Sequence, residues 1–70
     1  MEIRSEMVAN VWQVRAEVGQ TVGEGDELVI LESMKMEIPV FAPAAGTVSA
    51  IHVAPEQVVQ EGDLIAEIET

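Results

Sequence analysis

The chain repeats itself, and the repeat limits the folds open to it. Gly25 and Gly62 each sit in a Glu-Gly-Asp triplet, Glu24-Gly25-Asp26 and Glu61-Gly62-Asp63, 37 positions apart. The same offset carries Val11 onto Val48, Val14 onto Ile51, Gln20 onto Gln57, Val22 onto Val59, Leu28 onto Ile65 and Leu31 onto Ile68. Glu32-Ser33 maps onto Glu69-Thr70 in the same way. Two halves of about 35 residues therefore share one strand-turn-strand plan. Two copies are too few for a solenoid, and each alone would leave an apolar face in water. Packed against each other they make one core.

The residues in each half select strands over helices. There are 11 Val and 6 Ile against 3 Leu, and β-branched side chains suit a pleated sheet while losing rotamer freedom in a helix. Trp12, Val14, Ala16 and Val18 alternate with Gln13, Arg15 and Glu17, so these four are expected to face inward. Met36, Ile38, Val40 and Ala42 alternate in the same way with Glu37, Pro39 and Phe41. The unbroken run Leu28–Leu31 suits a strand covered on both faces, or on one face with its ends capped. Glycines 19, 23, 25, 46 and 62 punctuate the runs at strand-length spacing. The expectation is an all-β fold without helices, a flattened barrel or two-sheet sandwich with pseudo-two-fold symmetry. Residues 1–70 are expected to form a single domain.

Size and charge exclude several functions. Seventy residues and 7.5 kDa leave little room to carve a catalytic pocket of roughly 300 Å³ or more. A carried or docked module is favoured over a self-contained enzyme. There is no cysteine for a disulfide or a thiolate site. Thirteen acids against three bases give a net charge of −10, which repels nucleic-acid phosphates and anionic membrane surfaces and favours a basic protein partner. Glu2, Arg4 and Glu6 interrupt the start of the chain, and no apolar run approaches the roughly 20 residues of a membrane span. A soluble, cytoplasmic, monomeric protein is expected.

The first repeat runs on where the second ends, through Ser33-Met34-Lys35-Met36-Glu37. Pairing Glu32 with Glu37 and Leu31 with Ile38 puts Met34 and Lys35 at the tip of a two-residue hairpin. Such loops favour Asn or Gly, because both central residues take positive φ. Met-Lys overrides that chemistry, and local rules are broken most often at functional sites. Lys35 is also the only lysine. It would hold a primary amine on a four-carbon stem away from the barrel, with Met34 and Met36 as adaptable apolar flanks for docking. Taken alone, the tip is equally a solvated turn lysine with methionines at the edge of the core.

The segment Glu32-Ser33-Met34-Lys35-Met36-Glu37-Ile38-Pro39 resembles the Glu-Ala-Met-Lys-Met segment of the biotinyl domains of biotin-dependent carboxylases. The likeness extends to the valine-rich strands, the Gly-Asp turns and the stretch Ala42-Pro43-Ala44-Ala45-Gly46-Thr47-Val48. It implies two four-stranded antiparallel sheets with the lysine on a hairpin at one end. It further implies that Lys35 is joined to biotin by a biotin protein ligase, with Met34 and Met36 recognised by that enzyme and Glu32 secondary on the hairpin. The amine would attack the acyl carbon of biotinyl-adenylate, and the ligase would have to supply the environment that removes its proton. Biotin carboxylase and carboxyltransferase components would then be served by a carrier with no catalytic residue of its own. Ser33 departs from the usual Ala, and no inserted thumb is present, so the chain looks most like the small biotin/lipoyl attachment proteins. Lipoyl domains of the same fold carry Asp-Lys-Ala at the tip. Lipoate is therefore the alternative cofactor, in an acyl- or aminomethyl-transfer system, and an unmodified interaction module is the third reading.

Other signals are weak. Gly19–Gly25 superficially resembles a phosphate loop but lacks the Lys-Ser/Thr that meets a nucleotide. His52 is the only histidine and has no second ligand for a metal. Glu24, Asp26 and Glu27 lack the spacing of a calcium loop. Trp12 is expected to pack in the core or at its edge, with binding to a partner as the alternative.

Overall fold

The computed structural model describes residues 1–70. The strands are β1 (Glu2–Arg4), β2 (Ala9–Val14), β3 (Thr21–Val22), β4 (Glu27–Ser33), β5 (Met36–Phe41), β6 (Gly46–Ile51), β7 (Val58–Val59) and β8 (Leu64–Glu69), with no helix. They form two four-stranded sheets, ordered β1-β8-β6-β3 and β5-β4-β2-β7, and every pairing is antiparallel. The repeat offset exchanges the sheets: β2 maps onto β6, β3 onto β7, β4 onto β8 and β1 onto the distal half of β5.

Irregularities obey the same symmetry. The β2–β4 register shifts between Val11 and Gln13, so Trp12 is an extra residue, and the β6–β8 register shifts at the equivalent Ser49. Leu28 in β4 and Ile65 in β8 are a second matched pair of bulges. The Glu-Gly-Asp triplets close matching turns. Gly25 and Gly62 take φ of 88° and 89°, the positive value that the third residue of a type II turn demands and glycine adopts at little cost. Asp26 and Asp63 accept a backbone N–H from Gly23 and Gln60, each at 2.8 Å.

The sheets face each other over one apolar cluster. Val11, Leu28, Val29, Leu31, Val48, Val59, Ile65 and Ile68 are its largest fully buried side chains. Ile30 is also buried but lies outside this cluster, so all four residues of the run Leu28–Leu31 are shielded from water. No buried side-chain polar atom lacks a hydrogen bond, which removes one of the costs a small core can least absorb.

Three inward assignments are corrected. Trp12 is 44% exposed, because the bulge gives β2 one residue too many and Val11 takes the inward position. Val18 is 63% exposed, since the chain has left β2 and entered a turn. Met36 is 60% exposed, because its partner Ser33 already lies at the hairpin end, beyond the enclosed core.

The molecule is elongated, 32 × 17 × 17 Å, and the topology gives its poles different contents. β4 runs to the Met34-Lys35 turn and β5 returns to Phe41. Ala42–Ala45 then leads into β6, whose Thr47 lies opposite Glu69 near the end of β8. The Met1 ammonium donates to the Ile68 carbonyl at 2.7 Å. Both chain ends thus lie at the pole away from the hairpin.

Candidate functional site

The hairpin between β4 and β5 has Ser33 opposite Met36, Glu32 opposite Glu37 and Leu31 opposite Ile38. This is the register predicted from the apolar pattern. Met34 and Lys35 form the turn with φ of 52° and 64°, the two consecutive positive values that define a type I′ connection. For a residue bearing Cβ the left-handed region costs about 1–2 kcal/mol. That cost is sustained because β4 lies inside its sheet, held by β5 on one side and β2 on the other. Leu31, 2% exposed, anchors the base of the hairpin in the core.

The tip presents its side chains to water. Met34 is 89% exposed, and Lys35 and Met36 are exposed beside it. The molecule's side-chain ion pairs, Arg4–Glu2 and His52–Glu67, lie elsewhere, so the Lys35 amine is unpaired. Glu32 and Glu37 face each other across the ladder below it, a like-charge juxtaposition that opposes stability and makes the hairpin base acidic.

This arrangement can do one kind of chemistry. A free primary amine on a stiff support can accept an acyl group, and four methylenes give the product a swinging radius. The neighbouring residues enclose no cavity around the amine. The site therefore suits a group attached covalently to Lys35, not one gripped by surrounding side chains. Biotin and lipoate, each bearing one carboxyl group on a flexible chain, both meet that requirement.

The remaining sequence candidates have structural roles. Gly19 and the Gly23–Asp26 segment belong to separate turns with β3 between them. His52 Nε2 lies 2.8 Å from Glu67 Oε2 on an exposed face. No three His, Cys, Asp or Glu side chains converge on a metal position. Two features escape a first reading of the sequence: the outward Trp12 and the positive φ of 72° at Glu56. The second has a sequence signal, because residue 56 is the repeat mate of Gly19.

Comparisons with known proteins agree on this architecture. Residues 2–68 match the model of the family described as biotin-requiring enzyme. The chain is 54% identical over 67 residues to the biotinylated protein TB7.3 homolog of Mycobacterium leprae, covering 96% of this chain and 94% of that one. It is 38% identical over 68 residues to the biotin/lipoyl attachment protein of Bacillus subtilis, covering 93% of it. It is 46% identical over 67 residues to the pyruvate carboxylase of the same organism, but spans only 6% of that chain. The urea carboxylase of Kluyveromyces lactis contains a region that superimposes with a TM-score of 0.92 at 36% identity, covering 99% of this chain and 6% of that one.

Proposed function

We propose, because this chain belongs to the biotin-requiring enzyme family, that it is a biotin carrier and that Lys35 takes the group. The observation that carries the assignment is the state of Lys35: the only lysine, exposed and unpaired at the apex of a strained turn. The likeness to the small biotinylated protein, over nearly the full length of both chains, supports biotin over lipoate.

In the attachment step Lys35 Nζ loses a proton and its lone pair forms a bond to the acyl carbon of activated biotin. The bond from that carbon to the adenylate phosphate breaks, and the adenylate leaves with the electron pair. The product is a neutral amide, so the net charge goes from −10 to −11. Protonated lysine is no nucleophile, so the biotin protein ligase must accept that proton. Met34 and Met36 offer the ligase pliable apolar contacts on either side of the amine, and Glu32 lies secondary to them. Bound biotin supplies a ureido nitrogen able to hold a carboxyl group. The chain contributes position: β4 and β5 hold the arm's root, and the acidic surface steers basic partners.

We assign the partners by likeness to carboxylases that contain this unit. They are a biotin carboxylase and a carboxyltransferase, served by a cytoplasmic, monomeric carrier. Intact mass of the protein from its native source tests the reading. A biotinyl increment on the peptide holding Lys35, lost in Lys35→Arg, is the expected result. A lipoyl increment would install the alternative cofactor. An unmodified mass where ligase and biotin are abundant would leave an interaction module.

A further inference from the structure

The outer face of the hairpin sheet carries a second constellation, separate from Lys35. Asn10 in β2 lies opposite Glu32 in β4, and the bulge throws Trp12 outward on the same strand. Glu56, in the turn Ala54–Gln57, donates its backbone N–H to the Val11 carbonyl at 2.8 Å. That bond brings its carboxyl group to the same place. Asn10, Val11, Trp12, Glu32 and Glu56 line a shallow cleft of about 260 Å³. Val11 turns its side chain into the core, Trp12 contributes a partly exposed indole, and the exposed Glu32 and Glu56 put two carboxylates at the rim.

The repeat provides an internal control. The positions equivalent to Trp12, Glu56 and Asn10 in the other half are Ser49, Gly19 and Thr47. The two turns share their bonding: Gly19 donates to Val48 at 2.7 Å as Glu56 donates to Val11, and Gln20 and Gln57 close them alike. The fold thus accepts glycine at this turn position and serine at the strand position where Trp12 stands. The cleft is an addition on the hairpin sheet, not a by-product of the architecture.

No cation of this chain occupies it. Arg4 is held by the Gly62 carbonyl and Glu2, Arg15 by Gln13, and Lys35 stands at the turn. Neither rim carboxylate is in an ion pair. An exposed indole that shares a cleft with two unpaired carboxylates complements a planar cation. Guanidinium stacks on indole and donates in-plane to carboxylates, whereas ammonium is compact and strongly hydrated. We propose that this cleft docks an arginine side chain presented by a partner protein, with the guanidinium on Trp12 between Glu32 and Glu56. The net charge of −10 draws such a basic surface in. Glu32 is two residues from Met34, so a partner seated here would also reach the hairpin tip.

Trp12 is the only tryptophan and there is no tyrosine, so fluorescence reports on this cleft alone. The unmodified protein is titrated with L-argininamide and, separately, with L-lysinamide. The expected result is a saturable change with argininamide, with lysinamide binding several-fold more weakly. Glu56→Gly, which restores the residue used at the equivalent turn, should weaken argininamide about tenfold while the melting temperature holds or rises. Glu32→Gln should weaken it similarly. Glu24→Gln removes a charge at the far pole and should leave the affinity within twofold. Linear, unsaturable quenching would overturn the proposal. Equal affinity for the two amides, or equal losses in Glu56→Gly and Glu24→Gln, would do the same by reducing the effect to general charge attraction. Lys35 takes no part in this titration, so a negative result leaves the biotin reading standing.

Discussion

Met34 and Lys35 occupy backbone positions that glycine or asparagine would hold at lower cost. Because Met34 does not carry the amine, strain and recognition can be separated there. Met34→Gly should raise stability by about 1 kcal/mol, since it removes the left-handed penalty but gains some chain entropy on unfolding. For a domain of this size that corresponds to a rise of about 4–8 °C in melting temperature. The same variant loses an apolar contact beside the amine, so its initial rate of biotinylation by a ligase should fall several-fold. Thermal denaturation and a timed labelling assay measure the two effects, and a variant that is both less stable and equally well labelled would contradict this account. Gly46 shows the opposite constraint. A Cβ there would lie 2.4 Å from the Glu69 carbonyl oxygen and 2.7 Å from Ile68 Cγ2. Gly46→Ala should therefore destabilise by about 1–3 kcal/mol, read as a lower urea midpoint. Its glycine is a matter of space, whereas Gly25 and Gly62 are matters of φ.

At the level of elements, much of the structure was legible because the repeat and the alternation are both written in residue type. The hairpin register followed from placing Leu31 against Ile38, and the matched turns from the two Glu-Gly-Asp triplets. The bulges were hidden. A bulge is a mismatch between two strands, so a single-strand pattern carries no mark of it. One extra residue at Trp12 reversed the facing of part of β2. The two-residue strands β3 and β7 were also hidden, since each is too short to display a period and is defined by its partner across the sheet. The bulges that do enter the core make a test. Leu28 and Ile65 are repeat mates and are both fully enclosed. Leu28→Ala and Ile65→Ala should each cost about 2–5 kcal/mol, by chemical denaturation, and by similar amounts if the halves contribute alike. A loss confined to one variant would show that the pseudo-symmetry of shape is not a symmetry of energy.

For the molecule as a whole, a net charge of −10 on 70 residues means that the folded state concentrates like charges. Only Arg4 of the three bases is ion-paired, with His52 beside Glu67, and the remaining acids repel across a body only 17 Å wide. Salt screens such repulsion over about 8 Å at 0.15 M and about 3 Å at 1 M. Moderate sodium chloride should accordingly raise the melting temperature, measured by circular dichroism, and a fall would mean that favourable pairs outweigh the crowding. The placement of the two chain ends carries a different consequence. They meet at the foot of the barrel in the β8 ladder, so a pull through either one is borne there and the lysine turn stays slack. A unit moored by its foot can hang from a tether or be spliced into a far longer polypeptide without its free pole being turned or shaded, and one blueprint can then serve both a small protein and a single segment of a giant one.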